Sequence, residues 1–167
     1  MASLAKKHTM IENMSLLGTH VRMGPVGLWV YASSYLRAAQ ALEPGPDGPR
    51  WPAGYGSVCR ALELSLKAFL SVKGRTLPEL AEFGHDLQRL VEDATAAGLR
   101  DLVVLEPSHL VEIERASRYY IEKVFEYPAL AVVSGLYPNY PKTPDFDSLV
   151  SAADLLVSSL REPCLRA

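Results

Sequence analysis

The sequence has few cysteines, no long apolar run and almost no net charge, and each shortage excludes a class of protein. Its two cysteines, Cys59 and Cys164, cannot form a disulfide framework, and no C-x-x-C or Cys/His cluster suggests zinc. No apolar stretch approaches the about 20 residues that span a bilayer, and the N-terminus has no signal-peptide pattern. We therefore expect a cytoplasmic protein with no membrane segment and no bound metal.

The remaining composition is that of a globular protein of one domain. The chain has 167 residues, of which 49% are hydrophobic and 22% charged. Its 17 basic and 19 acidic side chains argue against a general polyanion binder, although they leave room for a local basic face. The sequence contains no Gly-rich phosphate loop, no G-x-S-x-G and no H-E-x-x-H, so no cofactor is predicted.

An apolar period of 3.6 residues recurs along the chain, and clean period-2 alternation is almost absent. It predicts five amphipathic helices, which begin near residues 26, 53, 84, 108 and 143. The first four end near residues 42, 72, 98 and 126. Ser108 is expected to cap the fourth helix, and Thr143 the fifth, with Pro144 at its first position. We predict an all-α bundle over residues 24–167.

Residues 1–23 form a separate N-terminal arm in this interpretation. The sequence of residues 9–12, Thr-Met-Ile-Glu, has the capping-box pattern and favours a short helix within the arm. The same pattern at Thr76 predicts a short helical turn between the second and third helices.

The second helix is the most regular of the five. Its apolar stripe contains Tyr55, Cys59, Leu62, Leu66, Phe69 and Leu70. The opposite face carries Arg60, Glu63 and Lys67, and Glu63 precedes Lys67 in the favourable order for a helical ion pair. We interpret the pair as a solvated or interhelical contact, with nucleotide or partner binding as the alternative. If the pair is exposed, Lys67→Ala should cost less than about 1 kcal/mol.

The run from Arg60 to Leu70, RALELSLKAFL, and the later run from Gly84 to Leu87, GHDL, together resemble the HEPN superfamily. Members of that family commonly carry an E-L-x-L-K-A-hydrophobic-L helix, a variable loop and a G-H-D-L helix start. The Pro-flanked fourth helix, with Arg118-Tyr119-Tyr120, is similar to HEPN sequences as well. The matching core covers about residues 26–127, and the predicted fold is therefore a HEPN-like bundle.

The resemblance implies an up-and-down helical bundle that is often a homodimer. Many family members are metal-independent RNases of toxin–antitoxin, abortive-infection and CRISPR systems, whereas others are inactive partners or accessory domains of nucleotidyltransferases. The RNases carry an arginine and a histidine with four to six residues between them, in a site where two protomers meet. No arginine of this chain is followed by a histidine at that distance.

The missing spacing favours a non-catalytic protein that acts by binding a protein, RNA or a nucleotide, in a toxin–antitoxin or defence setting. A nucleotidyltransferase-like protein is one candidate partner. The alternative is a divergent RNase that uses His85 with Arg115 or Arg118. A small-molecule regulator with a pocket between its helices is a third interpretation.

His85 and Asp86 are the candidate catalytic residues, because an imidazole at a helix N-terminus beside a carboxylate can transfer protons. The structural interpretation is that His85 caps the helix and bonds to a neighbouring element. Arg115, Arg118 and Tyr119 are candidate ligands for a phosphate and a stacked base. Intrahelical ion pairs, such as those of Arg118 with the glutamates four residues away on each side, are the simpler explanation.

The apolar residues of the first predicted helix indicate that the chain associates with another copy of itself. Leu28, Trp29, Val30, Tyr31, Tyr35 and Leu36 lie on more than one face of this helix. One intramolecular contact cannot bury them all, so we expect a homodimer with this helix or the arm at the interface. The Tyr- and Pro-rich segment 137–141 is either a lid on the bundle or a recognition surface.

Overall fold

The computed structural model describes residues 13–16, 19–22, 24–43, 52–127 and 143–167. The described part is a helical bundle, which confirms the predicted all-α fold class, and a small β-hairpin precedes the bundle. Its six helices are α1 (Pro25–Ala41), α2 (Ala53–Val72), α3 (Leu77–Ala81), α4 (Leu87–Ala96), α5 (Pro107–Ile121) and α6 (Phe146–Arg166). A 3₁₀ turn, Leu99–Asp101, follows α4. None of the described helices is long and apolar enough to cross a lipid bilayer.

The described part of the N-terminal arm is a hairpin and contains no helix. Strands β1 (Asn13–Leu16) and β2 (Thr19–Arg22) pair antiparallel, with Asn13 opposite Arg22. The capping-box pattern that favoured a short helix covers residues 9–12, which lie outside the described residues. Segments 44–51 and 128–142, with the Tyr- and Pro-rich segment, lie outside them too.

Helix α2 is the centre of the bundle, because it contacts all five other described helices. Every residue from 61 to 70 is buried, so α2 has no solvated face in this stretch. The predicted apolar stripe, including Cys59, is buried as expected. Glu63 and Lys67 on the opposite face are buried too, so the solvated interpretation of this pair is wrong and the interhelical one remains.

The ends of α2, α3 and α4 follow the local chemistry of the sequence. Helix α2 has the predicted bounds, and Gly74 follows it with a left-handed backbone, φ +95°. Thr76 and Glu79 form the predicted capping box at α3. Helix α4 begins at Leu87 with Asp86 as its N-cap.

Helix α5 departs from the prediction at both ends. Its N-cap is Glu106 in place of Ser108, in a capping box with His109, whose Nδ1 accepts the Glu106 backbone N–H at 3.2 Å. The helix ends at Ile121, five residues early, and turns follow it, with Lys123 at φ +55°. The reversal turns Val124 and Phe125 back into the core.

Helix α6 also begins later than expected. Asp145 is its N-cap in place of Thr143, and the Asp145 side chain accepts the backbone N–H of Ser148 at 2.7 Å. At the other end the helix extends to Arg166, and Cys164 within its last turns is buried. Burial raises the pKa of its thiol to about 11.

Candidate functional site

The buried carboxylate of Glu63 contacts four polar side chains that come from three parts of the chain. Glu63 Oε1 accepts a hydrogen bond from Lys67 Nζ at 2.7 Å, and Glu63 Oε2 accepts one from the Tyr120 hydroxyl at 2.7 Å. Glu63 Oε2 also lies 3.1 Å from Arg60 Nη1 and 3.1 Å from His85 Nδ1. We call these five residues, Arg60, Glu63, Lys67, His85 and Tyr120, the Glu63 cluster.

Its partners keep the buried carboxylate ionised. Burial raises the pKa of Glu63, but the hydrogen bonds from Lys67 and Tyr120 and the charges of Lys67 and Arg60 outweigh it, so the pKa lies below its ordinary value. Burial and the charge of Glu63 raise the pKa of the Tyr120 hydroxyl, which stays a neutral donor. The cluster therefore contains one carboxylate and two basic side chains in addition to His85.

His85 reaches Glu63 because a tight turn precedes α4. Gly84 has a left-handed backbone, φ +54°, and its carbonyl accepts a hydrogen bond from Lys67 Nζ at 2.9 Å. The ring centroids of His85 and Tyr120 are 4.9 Å apart. Lys67 thus connects the carboxylate to the turn that carries the histidine.

The contact with Glu63 sets the hydrogen position on a neutral His85 ring. An ionised carboxylate only accepts hydrogen bonds, so Nδ1 carries the hydrogen and Nε2 remains an acceptor. The His85 side chain is 28% exposed. Its Nε2 is the ring nitrogen that does not contact the buried carboxylate.

Asp86 does not orient His85, although the two are neighbours in the sequence. Asp86 Oδ1 accepts the backbone N–H of Arg89 at 3.0 Å, and the Ser117 hydroxyl lies 3.4 Å from the same oxygen. Asp86 is therefore the N-cap of α4, and His85 lies one residue before the cap. The carboxylate that holds His85 comes from α2.

The structure does not bring Arg115 or Arg118 to the Glu63 cluster. Arg115 pairs with Glu112 on its own helix, and the other Glu112 oxygen accepts the Asp145 backbone N–H at 2.8 Å. Arg118 Nη2 lies 2.9 Å from Glu114 Oε1, which confirms one of the predicted intrahelical pairs.

Tyr119 lies in the core and not on the outer face of α5 as expected. It is 5% exposed, and its ring stacks on Phe125 with centroids 5.8 Å apart. The early end of α5 explains this burial, because the turn after Ile121 folds Phe125 back over Tyr119.

Neither Arg60 nor Tyr120 was predicted from the sequence to belong to the site. A local pattern exists for Arg60, since it lies three residues before Glu63 and Lys67 lies four after it, which places all three on one helix face. No local pattern exists for Tyr120, which is 57 residues from Glu63 in sequence. Tyr120 looks like a core aromatic, and its body is indeed buried.

The described residues contain no group of three or more His, Cys, Asp or Glu side chains that could hold a metal ion. No known family model, curated protein or solved structure matches the chain.

Proposed function

We propose that the protein is a non-catalytic, HEPN-like bundle that binds a phosphate-bearing ligand, RNA or a nucleotide, at the exposed edge of the Glu63 cluster. One observation carries the proposal. Arg60 and His85 both contact the same oxygen of buried Glu63, and their side chains remain 38% and 28% exposed. A guanidinium and an imidazole are thereby held side by side at the surface by one fixed anchor.

The charges of the cluster favour an anion at this edge. Glu63 balances only one of the two basic side chains Arg60 and Lys67, and the carboxylate of Asp86 is engaged at the N-terminus of α4. A guanidinium has five N–H donors, so Arg60 keeps donors for a phosphate after it bonds to Glu63.

The engagement of the other candidates supports binding over cleavage. Arg115 and Arg118 pair with glutamates of α5, and Asp86 caps α4. Neither of these arginines is available beside His85 to stabilise the charge that develops on a phosphodiester during cleavage. Arg60 is the one arginine that shares an anchor with His85 among the described residues.

Fluorescence anisotropy with a labelled single-stranded oligoribonucleotide tests the proposal. Arg60→Gln should weaken binding at least about tenfold, because it removes a charge-assisted contact worth about 1.5–3 kcal/mol. Arg118→Gln is the matched control, since it removes the same charge from an exposed pair. It should change the affinity less than about twofold. Equal affinity of the two variants, or no binding by the wild type, would contradict the proposal.

A second candidate function is RNA cleavage with His85 as general base. The supporting observation is the 3.1 Å contact between Glu63 Oε2 and His85 Nδ1, which leaves Nε2 as a proton acceptor. In this function Arg60 is the arginine that acts with His85, the role expected from the sequence for Arg115 or Arg118. A defined RNA that is cleaved by the wild type and left intact by His85→Ala would establish this function. RNA that is bound but never cleaved would support the non-catalytic proposal.

A further inference from the structure

A groove between α4 and α5 lies apart from the Glu63 cluster, and no member of the cluster lines it. Its larger part has a volume of about 710 Å³, which is typical of a small-molecule site. Its smaller part, of about 190 Å³, extends to Ile113. Val91 and Leu110 line both parts, so the groove is continuous.

The walls of the larger part are mainly apolar, and the chain covers them only in part. They include Val91, Leu99, Val103, Val104 and Leu110. Leu99 and Val103 are buried, whereas Val104 is 71% exposed, the highest value of any large hydrophobic side chain among the described residues. Exposed apolar surface is unfavourable in water, so a ligand that covers these side chains with its own apolar surface is bound by the hydrophobic effect.

The polar side chains of the larger part include one cation, Arg100. Its guanidinium forms no hydrogen bond or ion pair with any residue that the structure describes. Glu92 Oε1, by contrast, accepts a hydrogen bond from Gln88 Nε2 at 3.1 Å. An unpaired guanidinium keeps all its N–H donors, and its planar fork fits the two oxygens of a carboxylate.

The charges along the groove differ between its two parts. Arg100 lines only the larger part, Glu114 lines only the smaller part, and Glu92 lies where the two parts meet. Asp101, the neighbour of Arg100 in the sequence, lines neither part. An anionic group is therefore attracted at the Arg100 end of the groove and repelled at the other end.

We propose that the groove binds the anion of a long-chain aliphatic carboxylic acid, with its carboxylate on Arg100 and its alkyl chain directed past Val91 and Leu110 towards Ile113. The head group meets the cation in the larger part, and a single alkyl chain is slender enough for the smaller part. A helix of a partner protein is about 10–12 Å wide along its whole length, so it suits a groove that becomes smaller towards one end poorly.

Titration calorimetry of the full chain with monomeric dodecanoate tests the role of Arg100. The wild type should bind dodecanoate at one saturable site. Arg100→Gln should weaken binding at least about fivefold, because it removes a charge-assisted contact with the carboxylate. Arg118→Gln is the matched control, since it removes the same charge from α5 outside the groove, and it should change the affinity less than about twofold. No saturable binding, or equal affinities of the two variants, would overturn the proposal.

Changes to the ligand and to the apolar wall test the place of the alkyl chain. Octanoate should bind at least about tenfold more weakly than dodecanoate, because it buries fewer methylene groups. Val104→Glu should weaken dodecanoate binding to a similar degree without loss of helical circular dichroism, since Val104 is exposed. Val30→Glu, on α1 and 41% exposed, is the control and should bind as the wild type does. Equal binding by Val104→Glu and Val30→Glu would contradict the proposal.

Two further measurements separate this site from detergent adsorption and from the Glu63 cluster. Dodecyltrimethylammonium has the same alkyl chain with a cationic head, so it should bind at least about tenfold more weakly than dodecanoate. Arg100→Gln should leave the affinity for the labelled oligoribonucleotide within about twofold of the wild type, because Arg100 lies outside the Glu63 cluster. Equal binding of the anionic and cationic ligands would show adsorption without a carboxylate site. Loss of the oligoribonucleotide together with dodecanoate in Arg100→Gln would contradict a separate site.

Discussion

Two acid–base pairs with the same sequence spacing have different surroundings in this protein. Glu63 and Lys67 of α2 have side chains that are 3% and 11% exposed, whereas Glu114 and Arg118 of α5 are 48% and 58% exposed. Both pairs place an acid four residues before a base. The difference arises because α2 is enclosed by five helices and this part of α5 faces solvent.

Burial changes what the pair does. An exposed pair in water contributes a few tenths of a kcal/mol and can be lost without consequence. A buried charge must keep its partners, because a group stranded away from water has no substitute for them. Glu63 and Lys67 therefore connect α2 to the His85 turn and to α5, while Glu114 and Arg118 stabilise only their own helix.

The largest expected effect is that of Glu63→Ala. The change strands Lys67 in the bundle with the Gly84 carbonyl as its remaining acceptor, and it removes the acceptor of Tyr120. We expect a loss of about 3–5 kcal/mol in the free energy of unfolding, measured by urea denaturation. The matched control is Glu114→Ala, with a loss below about 0.5 kcal/mol. Similar losses in the two variants would show that the two environments do not differ as described.

A smaller but clear effect is expected from Lys67→Met. The methionine keeps the apolar stem and removes the ammonium, so Glu63 and the Gly84 carbonyl each lose a donor while Arg60 and Tyr120 still serve Glu63. We expect the free energy of unfolding to fall by about 1.5–3 kcal/mol, which is more than the limit of about 1 kcal/mol for an exposed pair. Thermal unfolding followed by circular dichroism provides the measurement, and a loss below that limit would speak against a buried pair.

The lowered pKa of Glu63 makes part of this stabilisation depend on pH. Because the folded-state pKa lies below the unfolded value of about 4.3, the ionised carboxylate stabilises the fold above that pH. The stabilisation is lost as pH falls through the folded-state pKa. The difference in unfolding free energy between wild type and Glu63→Gln should therefore shrink between about pH 6 and about pH 3. A constant difference over this range would argue against an ionised Glu63.

The smallest effect is expected from Arg118→Ala. The exposed pair with Glu114 should contribute about 0.5 kcal/mol or less, and less again in high salt. Urea denaturation at low and high salt measures both quantities. A loss above about 1 kcal/mol that persists in salt would indicate a structural contact for Arg118 beyond this pair.

Local chemistry explains which parts of the fold were predictable. The bounds of α2, its Gly74 terminus and the capping box at Thr76 depend on residues within one helical turn of each boundary. The predicted start of α5 was wrong because Glu106 and His109 form a reciprocal cap, which is less common than a serine cap. The predicted end of α5 was wrong because the helix stops at a turn in which Lys123 has a left-handed backbone. Such a backbone usually marks a glycine, so the sequence contains no sign of this turn.

Local patterns in the sequence were enough to predict an all-helical bundle, the extent of α2 and the motifs that contain Glu63, Lys67 and His85. The packing of the helices buries Glu63 and Lys67, lets Glu63 rather than Asp86 orient His85, and brings Tyr120 to the cluster. The two kinds of feature differ in how far apart the contributing residues lie along the chain. Helix boundaries depend on neighbouring residues, whereas His85 and Tyr120 lie 22 and 57 residues from the carboxylate that they contact. Such contacts form only when helices pack, and packing also decides which face of a helix meets water.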